Sequence, residues 1–164
     1  MAREIERRFL VRQELWQASG CAQVSASHTI RQGFLSTVKE RVVRVRVVGE
    51  QGMLTIKGLT RGIAKTELEY AIPLADAQFM LDELCERPLI EKIRHRVPHA
   101  GLIWEVDEFL GVNQGLWLAE VELATEQQEP PLPIWVGDEI STDSRYFNSN
   151  LIANPFSRWH TSTG

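Results

Sequence analysis

The chain alternates. Across positions 4–11 charged and apolar residues largely take turns, with breaks at Arg7 and Leu10. A two-residue period is that of a β-strand, whose successive side chains point to opposite faces. Extended runs recur at 24–35 around Ile30 and Phe34, in the β-branched segment 41–48, and at 53–57, 65–72, 89–97, 102–110 and 117–123, which makes eight predicted strands. Glycine-bearing segments 49–52, 58–62 and 111–115 read as turns. Two segments differ. After Pro73, residues Leu74, Ala77, Leu81 and Leu84 recur at helical spacing and predict a helix over 74–85 on the barrel's exterior. Ser141-Thr142-Asp143 can cap a short helix over about 144–152. Segment 126–133 reads as a loop and the tail after Pro155 as irregular. Strands in hairpin order with few helices predict a mainly β (α+β) fold, an antiparallel barrel or a sandwich. No repeat or linker divides residues 1–164, so a single domain is expected.

The polar faces carry the chemistry. Glu4, Glu6 and Arg8 share a face, as do Arg44 and Arg46; Lys65, Glu67 and Glu69; Lys92, Arg94 and Arg96; Glu105 and Asp107; and Glu120 and Glu122, while Lys57 ends its strand beside Thr55. The reverse faces are apolar: Val43, Val45 and Val47; Leu68, Tyr70 and Ile72; Trp104 and Val106; Trp117, Ala119, Val121 and Leu123. Alternation usually means a sheet with one wet face. Here the charged positions hold almost no Ser, Thr or Gln, and like charges recur two apart on strand after strand. Such neighbours stand about 7 Å apart and repel unless something lies between them. Paired carboxylates suit divalent cations, which want hard oxygen ligands, and paired guanidinium or ammonium groups suit phosphate oxygens. Turned inward, these rows would hold a metal-polyphosphate and support phosphoryl transfer by positioning and charge stabilisation.

Bulk properties narrow the field. The 43% apolar content supports a real core, and a net charge of -4 argues against a general nucleic-acid binder. Cys21 and Cys85 are too few for a disulfide framework and lack metal spacing, as do His28, His95, His99 and His160, so a reducing compartment is expected. No apolar leader or stretch of membrane length occurs, which points to a cytoplasmic protein without a membrane partner.

Glu4-Ile-Glu6-Arg7-Arg8 resembles the N-terminal ExExK signature of the CYTH, or triphosphate tunnel metalloenzyme, family. Further similar segments follow in family order: Arg31-Gln32-Gly33-Phe34-Leu35, Arg44-Val45-Arg46, Leu54-Thr55-Ile56-Lys57-Gly58, Glu67-Leu68-Glu69-Tyr70, Glu91-Lys92-Ile93-Arg94, Trp104-Glu105-Val106-Asp107 and Ala119-Glu120-Val121-Glu122. Asp143 to Asn148 resembles the family's C-terminal helix. The resemblance implies an eight-stranded tunnel that hydrolyses inorganic triphosphate with Mg²⁺ or Mn²⁺. It assigns metal to Glu4, Glu6, Glu120 and Glu122, and catalysis to Glu4, Glu6 and Lys92. Phosphate contacts fall to Arg8, Arg44, Arg46, Lys57, Arg94 and, from the helix, Arg145, with Glu67, Glu69 and Asp107 completing an acidic wall. A triphosphate or polyphosphate is the implied ligand, and a homodimer is left open.

Two positions depart from the family pattern. Arg8 replaces Lys, and an arginine cannot act as a neutral amine. Phe34 replaces a Tyr that some members pair with the lysine matching Lys92, so that dyad cannot form. Three other readings stand beside triphosphate hydrolysis: a class IV adenylate cyclase, a nucleoside or thiamine triphosphatase, and a non-catalytic polyphosphate or nucleotide sensor.

Overall fold

The computed structural model describes the backbone of residues 3–162 and the side chains of residues 3–159, so the side chain of His160 lies outside the described part. The alternating segments form β1 (Arg3–Val11), β2 (Ala26–Ser36), β3 (Val42–Val48), β4 (Gln51–Lys57), β5 (Ala64–Ile72), β6 (Ile90–His99), β7 (Leu102–Phe109) and β8 (Trp117–Glu122). They run in the order β5-β4-β3-β2-β6-β7-β8-β1, and a β1–β5 pairing closes the ring. Every pairing is antiparallel. Closure depends on β1, whose Glu6–Leu10 stretch pairs with β8 while Arg3–Ile5 pairs with β5. Closing a sheet removes its edges.

A ninth strand, β9 (Val136–Glu139), adds to the C-terminal part of β1, and it extends the predicted count of eight. Its four residues follow Pro130, Pro131 and Pro133 and are too short to show a period.

Two apolar clusters lie outside the barrel wall, while a third, with Phe34, Ile90, Phe109 and Leu118 packed against Tyr146, Leu151 and Ile152, occupies the same strand faces as the charged rows and fills one end of the barrel. Phe9, Val97, Trp104, Val106, Ala119 and Val121 turn outward and are sealed by Trp16 and Trp135. Trp16 sits on α1 (Gln13–Ala18), a six-residue helix that the sequence pattern does not announce, and its ring meets Trp135 edge-on at 5.1 Å. On the other flank, α2 (Leu74–Phe79) continues through a wider turn over Met80–Leu84, as the helical spacing predicts. Ala77 and Leu81 of this segment pack with Val45. Two glycines allow the approach: a Cβ on Gly52 would stand 2.7 Å from Ala77 Cβ, and one on Gly33 2.8 Å from Cys85 Cβ. The outward face of β5 stays bare, with Leu68 and Tyr70 exposed.

The helix expected over 144–152 does not form. Asp143 caps a short 3-10 turn, Ser144–Tyr146, by accepting from Arg145 N, and the chain then continues in turns through Ile152. Asn148, Ser149 and Asn150 favour local bonds over a helix, and Asn150 Nδ2 donates to Ser144 O at 2.7 Å. The tail is more ordered than expected. Phe156–Ser162 is a 3-10 segment, and Trp159 meets the Tyr146 ring at 5.0 Å. Among the described residues, no helix is long and apolar enough to cross a membrane.

Candidate active site

The charged rows turn into the lumen and line a cavity of about 500 Å³. Strand order sorts them by sign. The arc β5-β1-β8-β7 contributes Glu67, Glu69, Glu4, Glu6, Glu122, Glu120 and Glu105, while the arc β6-β2-β3-β4 contributes Lys92, Arg94, Arg46, Arg44 and Lys57. Arg8 and Lys65 are the cations embedded in the acidic arc.

Register decides which charges neutralise each other. Arg8 lies opposite Glu120, and Arg8 Nε stands 3.3 Å from Glu120 Oε1. Glu4 lies opposite Lys65, whose Nζ bridges Glu4 at 3.3 Å and Glu6 at 3.6 Å. Lys57 reaches Glu4 at 3.6 Å and Glu67 at 3.7 Å. Arg94 grips Asp107 with two parallel bonds of 2.7 and 2.8 Å, and Lys92 Nζ reaches the same carboxylate at 2.8 Å. Thr55 donates to Glu69 at 2.9 Å and accepts from Arg44 at 3.2 Å. Arg46 differs. Its Nε donates to Gln32 Oε1 at 2.8 Å, and among the described residues no carboxylate pairs with it.

Both walls carry unrelieved charge. Burial, then repulsion from Glu120 and Glu4, raises Glu6 to about 7. Burial and the neighbouring Glu67 carboxyl raise Glu4. Burial with repulsion from Glu4, Glu6 and Glu105 raises Glu122, which faces Glu6 directly across the β1–β8 ladder. On the basic wall burial dominates, lowering Lys57 to about 8 and Lys92 to about 7, and Arg44 and Arg46 are lowered with repulsion from neighbouring arginines added. For Lys92, burial together with repulsion from Arg94 and Arg46 outweighs the pull of Asp107. Glu120 shifts the other way from Glu4, Glu6 and Glu122: although burial alone would raise it, Arg8 and Arg94 hold it well below the usual range.

The acidic arc suits a divalent cation. Its donors are hard oxygens, its carboxylates repel one another, and Glu4 Oε1 is buried without a well-formed hydrogen bond. Among the described residues no three carboxylates already converge as a ligand set, since Lys65 stands between Glu4 and Glu6 and Arg8 holds Glu120. A cation entering this wall would displace those ammonium and guanidinium contacts.

Of the residues expected at the site, Glu4, Glu6, Arg8, Arg44, Arg46, Lys57, Glu67, Glu69, Lys92, Arg94, Glu120 and Glu122 line the cavity. Asp107 does not; it is fully buried and serves as the counter-ion of Lys92 and Arg94 rather than as part of an acidic wall. Arg145 is also elsewhere. It is exposed, bonded to Asp143 at 2.7 Å and stacked near Tyr146 and Trp159, because a local partner two residues away captures it once the helix is absent. His28 lies opposite Arg94 but is exposed and does not line the cavity.

Residues outside the expected set also shape the lumen, Lys39 among them. Lys65 and Glu105 lie on the charged faces, and the i,i+2 rule already places them there; Gln32 and Asn148 are uncharged and give no such signal.

A closed antiparallel barrel with a lumen divided into acidic and basic arcs defines a class of tunnel proteins built for a polyanion with its cation. The CYTH domain family matches residues 2–154, and the chain belongs to that family. Divalent metal dependence is general to it. An inorganic triphosphatase from Acetivibrio thermocellus is 45% identical over 158 residues, covering 95% of this chain and 97% of the relative. Another, from Nitrosomonas europaea, is 32% identical over 153 residues, 90% of this chain and 95% of the relative. A crystal structure of an inorganic triphosphatase superposes with a TM-score of 0.60 at 28% identity, covering 91% of this chain and 97% of that one.

Proposed function

We propose that this chain hydrolyses inorganic triphosphate with Mg²⁺ or Mn²⁺ in the barrel lumen. The observation that carries the reading is the facing of two arcs: Arg44, Arg46, Lys57, Lys92 and Arg94 opposite Glu4, Glu6, Glu120 and Glu122. Three arginines that repel one another in a buried wall are relieved by an anion, and the guanidinium fork matches phosphoryl oxygens. Glu4, Glu6, Glu120 and Glu122 would hold the divalent cation, which when bound neutralises and polarises phosphoryl oxygens.

The chain's own residues do the rest. Arg44, Arg46 and Arg94 fix the phosphoryl groups, which places the terminal phosphorus for in-line attack. Glu4 or Glu6 takes the proton of the attacking water. The new O–P bond forms as the bridging P–O bond breaks, giving orthophosphate and diphosphate. Lys92 faces the developing charge. The unpaired Cys21 and Cys85 fit a reducing, cytoplasmic setting.

Phosphate release from tripolyphosphate tests the reading, with each metal, with chelator, and with Glu4→Ala. Release should require metal and vanish in the variant, and tripolyphosphate should exceed ATP and thiamine triphosphate in rate. Cyclic AMP formed from ATP would instead make this a cyclase. Phe34 favours a second reading, since it lines the cavity and has no hydroxyl to move a proton. Tight tripolyphosphate binding by calorimetry without phosphate release would establish a sensor.

A further inference from the structure

One side chain from outside the barrel strands enters the basic arc. The turns after Tyr146 place Asn148 against the lumen, where its Oδ1 accepts from Gln32 Nε2 at 2.8 Å and from Lys92 Nζ at 2.8 Å. Gln32 in turn accepts from Arg46 Nε. The chain of bonds therefore runs Arg46 to Gln32 to Asn148, meets Lys92 from the other side, and continues through Asp107 to Arg94.

Its polarity is fixed from both ends. Arginine and lysine donate and cannot accept. Arg46 must therefore face Gln32 Oε1, which turns the Gln32 amide NH₂ toward Asn148. Lys92 likewise requires Asn148 Oδ1. Neither amide can flip without setting donor against donor. Both amides are neutral, so the chain joins two cations without quenching either, which an Asp at 148 would not do.

We propose that Asn148 is a positioning residue for the reaction, locking the Lys92 ammonium and, through Gln32, the Arg46 guanidinium into one register for the phosphoryl oxygens of the substrate. This inference rests on the triphosphatase reading. The simple alternative is a latch that fastens the C-terminal turns to the barrel.

Two variants separate the roles. Lys92 also faces Asp107 on β7, Arg94 on its own strand, Arg46 on β3, Glu120 on β8 and the Phe109 ring at 5.2 Å. Against that fixed background, Asn148→Ala removes an acceptor that favours the ammonium, and Asn148→Asp adds a second anion. The titration of Lys92 Nζ, followed by nitrogen-15 NMR and assigned with Lys92→Met, should move down in Asn148→Ala and up in Asn148→Asp, by about one pH unit each way. The Lys92-dependent limb of the pH–rate profile should follow, and kcat for tripolyphosphate should fall about tenfold or more in Asn148→Ala, beyond any rise in KM. An unchanged Lys92 titration with a lowered melting temperature leaves only the latch and overturns the proposal. If Asn148→Ala does not fold, the Asp variant decides by the same titration. If the wild type releases no phosphate, the triphosphatase reading fails on its own, and the titration still tells whether Asn148 governs that ammonium.

Discussion

The Lys92 ammonium lies 2.8 Å from Asp107 Oδ2, and each side chain is about 1% exposed. Arg94 shares that carboxylate, so one anion serves two cations. The arrangement is asymmetric. Removing Lys92 leaves Asp107 in its fork with Arg94, whereas removing the Asp107 charge leaves Lys92 without its carboxylate and Arg94 with only the longer contacts to Glu105 and Glu120, at 3.5 and 3.7 Å, in a wall that Arg46 already burdens.

Asp107→Asn should therefore destabilise the fold by roughly 3 kcal/mol or more, the usual cost of breaking a buried pair from one side. Lys92→Met should cost clearly less while abolishing phosphate release. Urea unfolding of the two variants checks this, and equal losses would mean that the carboxylate is not the keystone.

Glu6 places a cost of function on the fold. Its folded carboxyl titrates at about 7 against an ordinary 4.5. Between those values the folded chain holds a proton that the unfolded chain has released, so stability falls as pH rises from about 4.5 to 7. Glu6→Gln removes that fall. The variant should melt higher than wild type at pH 8, by up to roughly 3 kcal/mol or about 5 °C or more, with little difference near pH 4.5. Divalent cation should stabilise wild type more than the variant, and the variant should lose turnover. A Glu6→Gln protein less stable than wild type at pH 8 would refute the strain.

The strands and their charged faces were legible because alternation is a property of neighbours in sequence. Glu4 and Glu6, Arg44 and Arg46, and Glu120 and Glu122 could be paired without coordinates for that reason. Pairing between strands could not. That Lys65 bridges Glu4 and Glu6, or that Asp107 lies beneath Lys92, follows from register and depth, which no periodicity displays. Asn148 was hidden twice, by its lack of charge and by its place in non-repeating turns. Arg145 misled because a helix was expected to carry it, while its bond to Asp143 is closed within two residues. β9 and α1 are too short to carry a period of their own.

Phe34 is nearly buried and lines the cavity, lying opposite Arg44 in the β2–β3 ladder. Phe34→Tyr adds a hydroxyl to a cavity that Lys92, its pKa lowered by burial to about 7, also lines. The exchange keeps the ring in its packing, so stability should barely move. A hydroxyl able to pass a proton between water and Lys92 should raise kcat by about tenfold or more with little change in KM. Initial rates on tripolyphosphate across pH 6–9 would measure it; no gain at any pH means that base catalysis here runs through the carboxylates alone.

Arg46 offers the sharpest conflict between stability and binding. It is largely enclosed, its pKa is pushed down by burial and by Arg44 and Arg94, and its Nε donates to a neutral acceptor, Gln32 Oε1. A buried charge with so little compensation weakens a fold. Arg46→Met keeps much of the volume and removes both the charge and its repulsion of two neighbours. It also leaves Gln32 Oε1 without its donor, at a cost of about 1–3 kcal/mol, set against relief of the buried charge and of its repulsion by Arg44 and Arg94. The variant should therefore melt at or above the wild-type temperature without ligand, yet show a KM for tripolyphosphate raised about tenfold or more. Tripolyphosphate should lift the melting temperature of wild type much further than that of the variant, because the anion supplies the counter-charge that Arg46 lacks. A variant that melts lower and binds as before would show that Arg46 serves the wall and not the ligand.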